Sequence, residues 1–442
     1  MIRHYKTYIF STLMLLIAVN PVAAGSLNAD EQRMMRWIDA NTERAIDLLE
    51  ETVNISSGTL NHDGLRELGE VMGRELEGLG FEAEWIDMPE EMQRAGHLFG
   101  RGYNEGKKKV LLIGHLDTVF EADDGFQSYS RDGDTAFGPG VDDMKSGNVI
   151  IIYALQALRE IGALEDLSVT VAYTGDEEYA GSPLALAKHD LIEAGKWADV
   201  SLGFEGAISY DGQDWATISR RSSSNWHLEV SGKQGHSSRI FNDQMGHGAI
   251  FEAARILNKF NEQVRGEQYL TFNAGTIQGG TDVSYDFETN RGTTFGKTNV
   301  IPNKVIVHGD IRTISQAQLE RTRDAMRKIV ADHLPLTDAR IVFEDRYPPM
   351  EPSDGNRRLH KILSQVNEDL GRGAMPIVDP SRRGAADVSF VAPYSDALAG
   401  LGAVGEGGHT PNESLDLTSM PVAIKRAALL LYRLAHEKQH QK

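Results

Sequence analysis

The stretch 110–118, VLLIGHLDT, constrains the fold more than any other part of the chain. Its apolar residues run into Gly114 without polar alternation, the pattern of a strand buried on both faces of a parallel sheet. In open α/β sheets, ligands gather just beyond the carboxyl ends of such strands. His115 would stand there as a metal ligand. Asp117, two residues on, is placed to accept a hydrogen bond from the second imidazole nitrogen, which orients the ring and raises its basicity. A packed histidine beside an aspartate fits this tripeptide equally well, so the decision falls to the rest of the chain.

Other short apolar runs end the same way. Residues 167–174 predict a strand, followed almost at once by Asp176, Glu177 and Glu178. Three adjacent acids repel one another unless a cation neutralises them; a solvated acidic loop is the other reading. Residues 200–204 run into Glu205, and 401–404 predict a further strand whose exit loop, GEGGHTPNE, carries His409. Between them, AFGPGVDDMKSG at 136–147 predicts a tight turn that ends at Asp143, ahead of an apolar helix over 149–158. Capping that helix is an alternative role for Asp143. His115, Asp143, Glu178, Glu205 and His409 thus fall at or just past predicted element ends, and a doubly wound sheet would bring such ends to one edge. The chain has no cysteine. Disulfides and thiolate sites are therefore excluded, and any metal must rest on imidazole and carboxylate.

From 216 to 347 the texture changes. Strands predicted at 226–231, 269–277, 304–311 and 340–345, with helices at 245–260 and 316–333, give a strand–helix–strand–strand–helix–strand order. That order fits a small ferredoxin-like domain. The expected fold is therefore α/β: a doubly wound mixed-sheet domain in two parts, 25–215 and 348–442, interrupted by the 216–347 insertion. Helices at 30–53, 63–79 and 418–436 belong to the larger domain.

Residues 1–24 have a basic start (Arg3, His4, Lys6), an apolar stretch over 8–19 and small residues at Val22-Ala23-Ala24, and read as a signal peptide. The expected product is exported, periplasmic or secreted, with an uncleaved anchor as the alternative; no second apolar run is long enough to span a membrane. Lys and Arg number 45 against 64 Asp and Glu, a net charge of −19. That balance argues against nucleic acid or an anionic membrane as partner. It also means that an anionic substrate needs a local basic patch.

The motifs GHLDT, GPGVDDMK, TGDEE, GFEG, SGKQGHSS, NVIP, DIR, GAAD and GEGGHTPNE, in this order, resemble one family. It is the family of dinuclear zinc exopeptidases and amidases that includes aminoacylase, acetylornithine deacetylase, succinyl-diaminopimelate desuccinylase and bacterial glutamate carboxypeptidase, and the likeness is greatest to the carboxypeptidase branch. The resemblance covers nearly all of the chain beyond residue 24. It implies two Zn²⁺ per subunit, bridged by Asp143, with His115 and Glu205 completing one and Glu178 and His409 the other. It implies Glu177 as general base, with Asp117 beside the metal site. The inserted domain is implied to be a lid and a homodimer interface, with His236 reaching the neighbouring subunit's site to stabilise the tetrahedral oxyanion. Asn299, Arg312, Arg346 and Gly384 match substrate-contacting positions, Arg346 gripping the terminal carboxylate.

The residue types suit that chemistry. Zinc takes imidazole and carboxylate well, two metals can bind the attacking water and polarise the scissile carbonyl, and an adjacent Glu can carry a proton from water to the leaving amine. The implied activity is carboxypeptidase-type hydrolysis of an amide next to a free carboxylate in a peptide or N-acyl amino acid. A deacylase of small N-acyl amino acids and a catalytically inactive binding protein on the same fold are the alternatives.

Two departures mark this chain. SRRGAADVS carries an Arg382-Arg383 pair in the family's GGxxD-like segment, and the look-alike GGTDVSY at 279–285 sits inside the inserted domain, where it reads as an insertion loop. After Glu205, the stretch GAISYDGQDW has no Lys or Arg, where glutamate-selective relatives carry a basic residue. Arg220, Arg221, Arg382 and Arg383 are the candidates to replace it.

Overall fold

The computed structural model describes residues 27–287 and 289–437; the expected signal peptide lies outside them. A mixed six-stranded sheet organises the larger domain. In spatial order its strands are Glu82–Asp87, Gly96–Gly102, Leu167–Thr174, Lys108–His115, Val200–Gly203 and Asp396–Leu398. The last four run parallel, and the first two add on antiparallel. Along Lys108–His115, Val110 and Leu112 pack into the larger core, with the helices Ala29–Val53, Ser146–Glu160 and Ser419–Ala435. Leu111 and Ile113 pack into the opposite core, with the helix His189–Trp197. Burial on both faces accounts for the missing polar alternation. The shared direction of the four strands sends their carboxyl ends to one edge, as a doubly wound sheet requires.

The strand expected at 401–404 does not form. The outermost parallel strand is Asp396–Leu398, and the residues after it hook over the end of Val200–Gly203. Leu401 N–H donates to the Gly203 carbonyl at 3.1 Å and Gly402 N–H to that of Glu205 at 3.0 Å. A Cβ on Gly402 would stand 2.6 Å from the Phe204 carbonyl oxygen, so the chain turns here in a space that only glycine fits. Conversely, Gly96–Gly102 carries no apolar run that would predict it. Its strand conformation is imposed by pairing on both edges.

The inserted unit is an antiparallel sheet in the order Thr271–Gly280, Lys304–Arg312, Ser223–Gly232, Thr337–Tyr347, with the helices Ala249–Gln263 and Gln316–Val330. It has its own apolar core, including Trp226, Leu228, Ile256, Phe260, Val307 and Met326. The connection order is the ferredoxin-like one. Ala216 bridges to Ile377, Thr217 to Ala399 and Arg220 to Met350, so the two chain crossings run side by side before the sheet begins at Ser223.

Residues 279–285 are not a loop. Gly279 and Gly280 close the edge strand, and Asp282–Asp286 pairs with Arg291–Phe295 as a two-stranded ribbon. The ribbon's aromatic rings settle on the sheet, with Phe287 4.7 Å from His227 and Tyr285 5.8 Å from His308, centroid to centroid. Among the described residues, no helix is long and apolar enough to cross a membrane.

Candidate active site

His115 ends the central strand and is buried. Its Nε2 lies 3.1 Å from Asp143 Oδ1. Asp143 sits in the turn that leads into the helix Ser146–Glu160. Its other oxygen, Oδ2, lies 3.2 Å from His409 Nε2, and that nitrogen is also 3.1 Å from Glu178 Oε2. One carboxylate thus stands between two imidazoles and offers an oxygen to each. Ligand atoms of His115, Asp143 and Glu178 fall within 4.8 Å of one another, and the donor set, imidazole with carboxylate and no sulfur, suits zinc. Glu205, two residues past its strand, lines the same cleft, and one of its oxygens bonds the buried Arg220 guanidinium.

The three consecutive acids occupy three different environments. Asp176 is fully buried on Lys188, whose Nζ is 2.7 Å from its Oδ1 and 3.0 Å from Asp387 Oδ1. Glu178 meets His409. Glu177 faces the cleft. Burial pushes the Glu177 carboxyl well above its usual range, against the pull of His115, and the nearby Glu205, Asp387 and Glu178 charges push the same way. Burial likewise raises Glu178, to about 7, although its bond to His409 works against that. Asp143 goes the other way: burial opposes its charge, but the bonds from His115 and His409 outweigh burial and lower its pKa. A carboxylate kept ionised beside one primed to take up a proton is the division that metal binding and base catalysis require.

Asp117 has a different task from the one expected. The acceptor nearest His115 Nδ1 is the Asp117 backbone carbonyl, at 2.9 Å, with the carboxylate 3.4 Å away. The carboxylate instead accepts the backbone N–H groups of Glu177 and Glu178, both at 3.0 Å, and the Thr59 hydroxyl at 2.7 Å. Those donors fix the carboxylate, so Asp117 clamps the acidic loop with its side chain and orients the imidazole mainly with its main chain.

A cleft of about 460 Å³ opens over this corner, lined by Asp143, Glu177, Glu178, Glu205, His409 and Gly384 among others. The remaining predicted residues lie on the inserted domain, outside this wall. His236 is exposed, its Nδ1 2.8 Å from Ser238 Oγ. Asn299 is exposed, and its carbonyl accepts the Ser237 N–H at 2.9 Å. Arg312 Nε donates to Asp310 Oδ2 at 3.1 Å. Arg346 is half-buried on the last strand of that sheet.

The family described as Peptidase family M20/M25/M40 matches residues 111–433. The chain belongs to the M20/M25/M40 peptidase family. Among M20 relatives it is 25% identical to carboxypeptidase G2 of Pseudomonas sp. (strain RS-16), over 96% of this chain and 98% of that one. It is 26% identical to succinyl-diaminopimelate desuccinylase of Gluconobacter oxydans (strain 621H), over 78% and 86%. Its fold matches a dinuclear metal-binding M20 peptidase of Bacillus subtilis with a TM-score of 0.62 at 16% identity, covering 90% of this chain and 99% of that one. This M20 chain is a metallohydrolase whose possible metal site contains His115, Asp143 and Glu178.

Some residues of the M20 site give little sign of themselves in sequence. Glu413, at the end of GEGGHTPNE, buries its carboxylate under the turn that carries Asp143 and accepts the N–H groups of Gly140, Asp142 and Asp143 at 2.9–3.0 Å. Its place in the same motif as His409 was the available signal. Lys188 gives none: a lysine at the junction of two short helices turns out to neutralise the acids behind the site.

Proposed function

We infer that this protein is an exported hydrolase that holds two Zn²⁺ and cleaves the amide bond beside a free carboxylate in a peptide or N-acyl amino acid, as a carboxypeptidase does. The Asp143 carboxylate, with one oxygen toward each of two imidazoles, carries the reading; a ligand that bridges two ions needs that placement. His115 and Glu205 stand ready for one ion, Glu178 and His409 for the other. Bound zinc supplies an activated water and a polarised carbonyl. Glu177 takes the proton from the attacking water and delivers it to the leaving nitrogen. Asp117 and the Tyr347 hydroxyl, which donates to the Glu177 carbonyl at 2.6 Å, hold the base while it does so. The full-length match to carboxypeptidase G2 favours carboxypeptidase action, and the desuccinylase matches support a small-metabolite deacylase as the second reading. Export rests on the character of residues 1–24.

Hydrolysis of a panel of N-acyl amino acids and dipeptides by purified protein tests this directly, with each substrate also supplied as its terminal amide. Tyr347 touches the catalytic loop, and its neighbour Arg346 is assigned to the free carboxylate, which it meets as the lid closes. Amidation should cost the wild type heavily, about 2–5 kcal/mol for a buried charged partner, and Arg346→Ala little more. An Arg346→Ala enzyme that still separates acid from amide as sharply as the wild type would place the carboxylate elsewhere.

A homodimer with shared sites is part of the proposal. His236 is exposed and is not among the residues that line its own subunit's cleft. The edge strand Thr271–Gly280 leaves Ile277 exposed, and Phe241 and Phe251 lie exposed together, 5.4 Å apart. Open edges with apolar neighbours favour a partner. Mixing inactive His236→Ala with inactive Glu177→Gln subunits should restore activity, because one site of each mixed dimer keeps both residues. No recovery despite proven subunit exchange refutes the shared site.

A further inference from the structure

Two of the arginines that line the cleft make no direct ion pair among the described residues. Of the four arginines that could replace the absent basic residue after Glu205, two are occupied. Arg220 bonds Glu205 and donates from Nη1 to the Ala385 carbonyl at 2.9 Å. Arg221 turns away, donating to Thr271 Oγ1 at 3.0 Å and to the Ser381 carbonyl at 3.3 Å. Arg382 and Arg383 differ from both. Each lines the cleft, and among the described residues neither has a carboxylate within ion-pair distance.

Arg383 donates from Nη2 to the Gly206 carbonyl at 3.2 Å, while its Nε is buried without a partner. It fits there because Gly400, at φ +67°, leaves room: a Cβ would stand 3.3 Å from Nη2. Burial, with the repulsion of Arg220, draws its pKa down to about 10 against the pull of the more distant Glu205, Asp142 and Asp143, which still leaves it charged at neutral pH. Arg382 is exposed on the cleft wall, its guanidinium carbon 4.0 Å over the ring of Tyr210. Tyr210 lines the cleft too, in the stretch where the basic residue is absent. Stacking holds a guanidinium flat and leaves its donor edge open. Next to the pair, Gly384 also lines the cleft.

A guanidinium set into a protein wall without a counter-ion is costly, and a chain of net charge −19 repels anions overall. Arg383 is such a cation, and with the exposed Arg382 beside it at the metal corner it is best explained by an anion that arrives with the substrate. Asp142, Asp143, Glu178 and Glu205 line the same cleft but lie beyond ion-pair reach of both side chains, and three of them are the proposed zinc ligands.

We propose that Arg382 and Arg383 form a second anion subsite, which receives a substrate carboxylate other than the one beside the scissile amide. This rests on the amide-hydrolase reading above. The second carboxylate has two possible sources, the side chain of the released amino acid or the far end of the acyl group, and the two share the same recognition chemistry.

The test uses two isosteric pairs: N-acetylglutamate against N-acetylglutamine, and N-succinylalanine against its succinamyl counterpart. The wild type should favour the charged member of one pair by about tenfold or more in kcat/KM, the range of a charge-assisted hydrogen bond. Which pair shows the preference identifies the source. The Arg382→Gln/Arg383→Gln enzyme should bring that ratio toward one, and Lys at both positions should restore part of it. Should the double variant fail to fold, Arg382→Gln alone, at an exposed side chain, should still reduce the ratio. Equal rates on both members of both pairs overturn the subsite and leave the hydrolase reading standing, as does a preference that the variants do not change. Hydrolysis of neither these nor any other N-acyl amino acid overturns both.

Discussion

Glu177→Gln should lower kcat by about 10²–10⁴-fold, the usual contribution of a general base, with little change in metal content. The amide keeps the shape of the side chain and removes only its capacity to take a proton. The loop should survive, because it is held from other atoms: its N–H groups bond Asp117, and the Glu177 carbonyl accepts the Tyr347 hydroxyl. The metal should survive as well, since the His115, Asp143, Glu178 and His409 contacts do not pass through Glu177. The upward shift of the Glu177 carboxyl, caused first by burial and then by its acidic neighbours, brings its basicity closer to neutrality, where a base works best. Rate should therefore fall as pH drops through that raised pKa. Near-normal kcat in Glu177→Gln, measured with metal content unchanged, would assign the proton transfer to another group.

What could be read in sequence depended on whether a residue acts through its own chain position or through a partner. Val110–Ile113 announce a buried strand because both faces of that strand meet apolar helices. His115, Glu178 and Glu205 could be placed because strand ends carry them, and parallel strands share one edge. His409 was found through a strand that does not exist: the apolar residues at 401–404 are a hook over Glu205. The roles of Asp117, Lys188 and Glu413 were out of reach for a common reason. Each is defined by the hydrogen-bond partners that surround it, donors for Asp117 and Glu413 and carboxylates for Lys188, from chain segments about 60, 270 and 12 positions away, and no local pattern encodes such a meeting. The residues of the inserted domain pose a different problem. His236, Asn299 and Arg312 were marked by motifs, and none of them lines the cleft.

Removing the metal should abolish hydrolysis while leaving the protein folded, and added Zn²⁺ should restore the rate. The cluster itself explains both halves. Stripped of cations, the site still has positive charge available from its own histidines. Bonds to Asp143 and Glu178 raise His409 to about 10. His115 is pushed well above its usual value even though burial opposes its charge, because Asp117 and Asp143 bond it. At neutral pH His409 holds a proton in the metal-free protein, His115 is shifted toward its protonated form, and both screen the carboxylates around them. Metal can enter only as those protons leave, since a ligating imidazole must be neutral. Calorimetric titration of stripped protein with Zn²⁺ in buffers of different ionisation enthalpy should show proton release, and apparent affinity should weaken as pH falls. The stability of the stripped protein has a definite sign. A histidine whose folded pKa is raised stabilises fully below its unfolded value of about 6.5. That contribution is lost as pH rises through the folded value, about 10 for His409. Melting curves of metal-free protein should therefore fall between neutral pH and pH ~10, and the gap to the zinc-loaded protein should widen over the same range. Active enzyme without any transition metal, or zinc uptake that releases no proton, would dismantle the metal assignment at His115 and His409.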